Sequence, residues 1–162
     1  MSVKIQKYKS GIYSLKVKQV INQPIEEICS FFSSPKNLNE LTPKNMNFKI
    51  LSGRSDDFFP GKIISYSVNP FKYYNLKWVT EITHIEKNKL FIDEQRFGPY
   101  KMWHHEHLFL QKGDKVEMTD KVSFKVPFGF LGRIMTPVIV IPQLKKIFNY
   151  RYKLLEQKFN NG

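Results

Sequence analysis

The spacing of apolar positions along the chain switches from two to about 3.6, back to two, and finally to about 3.6 again. From Ile12 to Ile21, Tyr13, Leu15, Val17 and Ile21 alternate with Ser14, Lys16 and Lys18, which predicts a first strand. Pro24 suits a first helical turn, and Ile25, Ile28, Cys29 and Phe32 follow it as the buried stripe of a helix. Ser34-Pro35 breaks that helix, and Leu38 and Leu41 mark a second short one ended by Thr42-Pro43. Six strands are then predicted near 46–52, 61–69, 74–85, 89–97, 101–111 and 115–126, divided by Gly, Pro, Asp and Asn. In the last segment Leu144, Ile147, Phe148, Arg151, Tyr152, Leu154, Leu155 and Phe159 recur at helical spacing. Pro142 falls in the first turn of this long helix or kinks it, and Pro137 marks an earlier break. A helix with so wide an apolar stripe needs a concave partner, and seven strands provide one. The expectation is one α+β domain spanning 1–162, a curved seven-stranded antiparallel sheet wrapped around a long C-terminal helix.

Polar residues interrupt this pattern where the sheet should be most buried. Phe91 to Leu110 reads as two strands joined at Gly98-Pro99, and on the second of them Trp103, His105, His107 and Phe109 share a face. In the next strand Val116, Met118, Asp120, Val122, Phe124 and Val126 lie on the apolar side, so Asp120 stands where a hydrophobic residue belongs. A buried carboxylate is costly unless it is hydrogen-bonded or paired. A four-residue loop, Gln111 to Asp114, would set Phe109 opposite Val116 and His105 opposite Asp120. A slip of one residue would put Glu106 beside Asp120, a like-charge pair that cross-strand packing disfavours. A three-residue loop at Gly98-Pro99-Tyr100 would bring Asp93 beside His105 and Gln95 beside Trp103, although a tighter turn reverses that parity.

Charge and cysteine content narrow the class. Lys and Arg number 26 against 14 acids, a net charge of +12. The excess sits at the ends, with five lysines and no acid in residues 1–18 and eight basic residues against one acid in residues 121–162. No nucleic-acid motif accompanies the charge, so it reads as a solvated surface before a functional one, with at most weak anionic membrane association. The one cysteine, Cys29, excludes an internal disulfide and fits a reducing compartment, as a small buried apolar residue. The first residues lack the apolar run of a secretion signal, and the apolar stretch around Ile134 to Ile141 is too short and Pro-broken to span a bilayer. A soluble, cytoplasmic protein is expected, with no signal for an oligomeric state.

Several motifs carry a resemblance. They are Pro24 to Phe32 followed by Asn37-Leu38 and Leu41-Thr42-Pro43; Trp78-Val79-Thr80-Glu81-Ile82; Phe91-Ile92-Asp93-Glu94-Gln95; Gly98-Pro99-Tyr100; and Trp103 to Phe109. Met118-Thr119-Asp120, Pro127-Phe128-Gly129 with Leu131-Gly132, and Ile147 to Arg151 complete the set. With the element order, these resemble the START-like, or SRPBCC, superfamily over nearly the whole chain, and its bacterial ligand-binding, cell-division-inhibitor-like branch in particular. The resemblance implies the helix-grip fold with an interior cavity for an apolar or amphipathic small molecule. It implies no particular activity, since the superfamily includes lipid carriers, hormone receptors, polyketide cyclases and aromatases.

The polar interior admits four readings. In the favoured one, Trp78, Trp103 and Phe109 supply apolar contact to a lipid, terpenoid or polyketide-like ligand whose polar groups are oriented by Asp93, Gln95, His105, His107 and Asp120. In the second, His105 held by Asp120 or Asp93 acts as a general acid/base in a cyclase/aromatase-like or hydrolytic enzyme. The third is a metal site of two histidines and a carboxylate, and the fourth a hydrogen-bonded network that only fixes strand register. No metal and no cofactor are expected, because the carboxylates are more simply explained as hydrogen-bond partners. His84 and His104 read as ordinary surface or strand histidines.

Overall fold

A computed structural model describes residues 2–55, 57–71 and 74–161. Strand β1 (Val3–Lys7) leads through a turn into β2 (Tyr13–Ile21), followed by helices α1 (Ile25–Ser33) and α2 (Pro35–Glu40) and a 3₁₀ turn at Lys44–Met46. Strands β3 (Lys49–Ser52), β4 (Ile63–Phe71), β5 (Tyr74–Glu86), β6 (Leu90–Phe97), β7 (Met102–Lys112) and β8 (Lys115–Lys125) follow. The chain closes with helix α3 (Gly129–Met135), a wide π turn at Thr136–Val140, helix α4 (Ile141–Leu155) and a second π turn at Glu156–Asn160. Pro137 lies at the start of the first wide turn and Pro142 at the start of α4, where a missing N–H is tolerated.

The strands form one antiparallel sheet in the order β1-β2-β8-β7-β6-β5-β4-β3. The seven predicted strands become eight. β1 escapes prediction because its five residues bury only Val3 and Ile5, and those only halfway; it is an edge strand held by residue-for-residue pairing to β2.

Two corrections concern the central hairpin. The loop between β7 and β8 is Gly113-Asp114 rather than four residues, with Lys112 paired to Lys115 and Gly113 at φ +63°. The tighter turn slides the register by two positions, so His107 faces Asp120 and His105 faces Val122. A slip of two keeps every side chain on its predicted face. Between β6 and β7, Asp93 pairs with His105 as expected, but the connection is four residues, Gly98 to Lys101, and the paired register ends at Glu94 opposite His104, short of the expected Gln95–Trp103 pair.

Leu144, Phe148 and Leu155 of α4, together with Phe159, press into the concave face of the sheet. One apolar cluster joins α1 to the far ends of β7 and β8 through Ile28, Phe32, Phe109 and Met118. The other joins β2 and β8 to α4 through Leu15, Val122, Phe124 and Phe148. The polar residues of β6, β7 and β8 lie among these apolar groups. No helix among the described residues is long and apolar enough to cross a membrane.

Candidate functional site

Strand alternation places Asp93 of β6, His105 and His107 of β7 and Asp120 of β8 on the concave face, and α4 delivers Arg151 from above. His105 and His107 are i, i+2 neighbours, so their rings lie 3.8 Å apart. His107 is also stacked on Phe91 with centroids 4.0 Å apart, and the Arg151 guanidinium lies 4.8 Å from the Phe32 ring. These aromatic contacts fix the polar groups from the sides while hydrogen bonds fix their ends.

One carboxylate oxygen is the hub. Asp120 Oδ1 lies 2.9 Å from His105 Nε2, 3.1 Å from His107 Nδ1 and 3.2 Å from Arg151 Nη2. The other nitrogen of His107, Nε2, is 2.8 Å from Asp93 Oδ2, and His105 Nδ1 is 3.5 Å from the same oxygen. Asp120, His105, His107 and Arg151 are all under a tenth exposed. Asp93 is more open, its side chain 16 % exposed toward the cavity described below.

The charges divide unequally between the two imidazoles. Burial disfavours the cation in both. For His107 that effect is outweighed by hydrogen bonds to Asp120 and Asp93, and its pKa is raised. For His105, burial combined with repulsion from His107 outweighs the two carboxylates, and its pKa is lowered. Burial alone would raise both aspartates, but Arg151 and the histidines hold Asp120 well below the usual carboxylate range and His105 and His107 hold Asp93 below it. Two carboxylates thus face Arg151 and two imidazoles, of which His107 is the more readily protonated and His105 the less. When His107 is protonated its Nδ1 donates to Asp120 Oδ1, and Arg151 Nη2 lies 3.4 Å from that nitrogen. Asp120 favours the cation of both imidazoles, and the balance of burial and charge leaves His107 raised and His105 lowered.

This cluster forms part of one wall of a cavity of about 370 Å³. The other walls are largely apolar: Ile64, Val68 and Ile82 from the sheet, Leu144 and Phe148 from α4, and Leu38 from α2. Trp78 and Trp103 meet edge to face at 5.2 Å, and Tyr66 stacks on Trp78 while its hydroxyl lies 3.1 Å from Thr80 Oγ1. Burial raises the pKa of both Tyr66 and Tyr100, keeping them neutral donors. Two buried N–H groups among the described side chains have no hydrogen-bond partner, Trp78 Nε1 and Arg151 Nε.

Of the eight side chains singled out from the sequence, Trp78, Asp93, Trp103, His105 and His107 line the cavity. Gln95, Phe109 and Asp120 do not. Gln95 is used by the β6–β7 turn, donating from Nε2 to Tyr100 O at 2.7 Å and accepting from Tyr100 N at 3.2 Å. Gly98 permits this, because a Cβ there would lie 2.5 Å from Gln95 Oε1. Phe109 belongs to the α1 cluster and borders a groove beside Cys29, while Asp120 stands behind the histidines. Arg151 is the residue that sequence reasoning missed, although a cation within the apolar stripe of the last helix is the same kind of exception that marked Asp120. Cys29 is half-buried, its thiol pushed up to about 11 by burial and by Glu26. His104 lies on the convex side between Glu94, at 2.7 Å, and Glu106, at 3.3 Å.

Asp93, His105 and His107 can each offer one ligand atom, all within 4.8 Å of one another. The donor set fits a two-histidine, one-carboxylate centre in kind. Two features compete with an ion there: Asp93 and Asp120 favour a proton on His107 that a metal would have to displace, and Arg151 already pairs with Asp120 behind them.

No protein-family model matches the chain, and no curated protein matches it in sequence. Solved structures match it closely in shape. The protein TTHA0849 of Thermus thermophilus superposes with a TM-score of 0.68 at 12 % identity, over 89 % of this chain and 94 % of that one. The ginseng major latex-like protein 151 of Panax ginseng gives 0.64 at 12 % identity over 92 % and 98 %. The Zhui aromatase/cyclase of Streptomyces sp. R1128 gives 0.67 at 10 % identity over 91 % and 95 %. At such identities the likeness is one of fold, and what this chain shares with all three is the helix-grip fold, an antiparallel sheet closed on its own C-terminal helix.

Proposed function

We propose that the protein binds a hydrophobic or amphipathic small molecule, a lipid, terpenoid or polyketide-like compound, with its polar group at the Asp93, His105 and His107 end of the cavity. The observation that carries this reading is the composition of the cavity: about 370 Å³ of mostly apolar wall with one charged, hydrogen-bonded cluster. Small-molecule sites of roughly 300–1,000 Å³ are built this way, with apolar area supplying affinity and a few polar groups setting orientation. Asp93 offers an acceptor and Trp78 Nε1 an unpartnered donor, so a hydroxyl group is matched better than a free carboxylate. The motif resemblance to the bacterial ligand-binding branch supports the same class of ligand.

Trp78 and Trp103 both line the cavity and make an internal probe. Titration with long-chain alcohols, terpenoid alcohols and aromatic polyketide analogues should give saturable changes in tryptophan fluorescence. Asp93→Asn should weaken hydroxylated ligands more than their hydrocarbon counterparts. No saturable response to any of the three classes overturns the reading.

One observation favours a second reading, acid/base catalysis in the manner that the name of the Zhui aromatase/cyclase suggests. His105 and His107 share the cavity wall with rings 3.8 Å apart, and their surroundings push His105 down and His107 up, the kind of separation that sets a base beside an acid. Turnover of a bound polyketide-like substrate that is lost in His105→Ala while binding survives would establish it. Binding without turnover leaves the carrier.

A further inference from the structure

The segment between β8 and α4 is folded inside out. In α3 and the wide turn after it, the small residues Gly132 and Thr136 face the protein, both essentially buried. Thr136 Oγ1 donates to Gly132 O at 2.6 Å, and a Cβ on Gly132 would lie 1.9 Å from Pro127 O, so no side chain fits between the helix and the Val126-Pro127 backbone that leads into it. The large side chains of the same helix point outward: Phe130 is 78 % exposed, Val138 70 %, Leu131 58 % and Ile134 51 %. Residues at this spacing form one continuous stripe. An exposed apolar stripe of this size on a domain with an ample core marks a surface that is covered in use.

Its position and its charge identify the cover. Phe128, 72 % exposed, and Ile139, 39 % exposed, belong both to this surface and to the cavity wall, so the stripe is the rim of the cavity mouth. No acidic residue occurs between Lys121 and Leu155. Exposed Arg133 stands beside Lys125 over the β1–β2 turn at Gly11, and Lys101 is bonded to the backbone of Lys125. Lys145 and Lys146 extend the basic border along α4. Two copies of a chain carrying +12 would bring these basic borders face to face, which disfavours self-association. We propose that this face docks on an anionic lipid bilayer, with Phe130, Leu131, Ile134 and Val138 in the acyl boundary, the basic residues among the headgroups, and the cavity mouth opening to the membrane. The stripe is too short to span a bilayer and suits a helix lying in the interface plane. A mouth against the membrane also lets an apolar ligand pass between cavity and bilayer without crossing water.

Flotation with vesicles of phosphatidylcholine, and of phosphatidylcholine mixed equally with phosphatidylglycerol, tests the docking. The full chain should bind the anionic vesicles at low salt at least about tenfold better than the neutral ones. The double variant Leu131→Ser, Ile134→Ser touches neither core nor cavity; it should keep the wild-type unfolding midpoint and lose at least about tenfold in vesicle binding. Binding that is unchanged in this variant, or absent from both kinds of vesicle, overturns the proposal. So does a concentration-dependent dimer abolished by the variant without vesicle binding, which would assign the stripe to a second copy. Because Leu131 and Ile134 lie outside the cavity wall, the variant should retain tryptophan-reported ligand binding. The surface and the cavity are therefore tested separately.

Discussion

Replacing Asp120 perturbs the whole buried cluster at once. Its Oδ1 accepts from His105, His107 and Arg151 at 2.9, 3.1 and 3.2 Å, and all four residues are buried. Asp120→Ala leaves Asp93 alone against the guanidinium and the imidazolium, and it leaves Arg151 with a second set of buried donors unsatisfied beside Nε. Removing one partner of a buried ion pair costs about 3–5 kcal/mol, because the remaining charge stays desolvated. Against a total stability of about 5–15 kcal/mol this is a large fraction. At a urea m-value of about 2 kcal/mol/M the midpoint should fall by about 1.5–2.5 M. Asp120→Asn preserves shape and one acceptor while losing the charge, and should cost about 1–3 kcal/mol. Urea unfolding of the three proteins followed by circular dichroism provides the comparison. A midpoint for Asp120→Ala within about 0.25 M of wild type, the about 0.5 kcal/mol that surface substitutions give, would refute the buried hub.

Further outcomes follow from the same geometry. His107, raised in the folded protein, contributes stability that is fully present below its unfolded pKa of about 6.5 and is lost as pH rises through its folded value. The stability difference between wild type and His107→Gln should therefore shrink between neutral and alkaline pH, and a constant difference would contradict the assignment. His105 has the opposite sign: the unfolded chain takes up a proton that the folded one resists, so acidification below about 6.5 removes stability. In an NMR titration of ring carbons, His107→Gln should raise the pKa of His105 by removing its charged neighbour, and an unmoved His105 would show that the two rings do not interact. Dialysed protein should carry no stoichiometric divalent ion; zinc or iron retained at one per chain and lost in His107→Ala would reassign Asp93, His105 and His107 as ligands. Gly132→Ala should destabilise by about 1–3 kcal/mol or more, since the new Cβ meets Pro127 O, and an unchanged unfolding midpoint would mean that α3 is not seated as described.

The faces of the strands were legible in the sequence, and the distances along them were not. Alternation alone put His105, His107 and Asp120 on one buried face, because a side chain's face depends only on parity. Which histidine stands opposite Asp120 depends on loop length, and Gly113-Asp114 makes a turn two residues tighter than expected. Gln95 has the parity of a cavity residue but is taken by the turn that it stabilises, a local competition invisible to periodicity. Arg151 was visible as a member of the apolar stripe, yet only the position of Asp120 beneath it explains why a cation is there. The orientation of α3 was hidden for a different reason. A run such as Phe130-Leu131 with Ile134 has the composition of core, yet Gly132 and Thr136 are the residues that the helix buries. β1 carried too few apolar positions to register as a strand.

The central claim is that the cavity holds an apolar or amphipathic molecule. Native mass spectrometry of protein purified from its own host, paired with an organic extract of the same sample, tests it most directly. Ile64 lines the cavity, so Ile64→Trp should fill part of it. Wild type should carry a small molecule of defined mass, recovered in the extract, and Ile64→Trp should carry much less of it. Wild-type protein at its bare mass with an empty extract, or equal loading of both proteins, would contradict that claim.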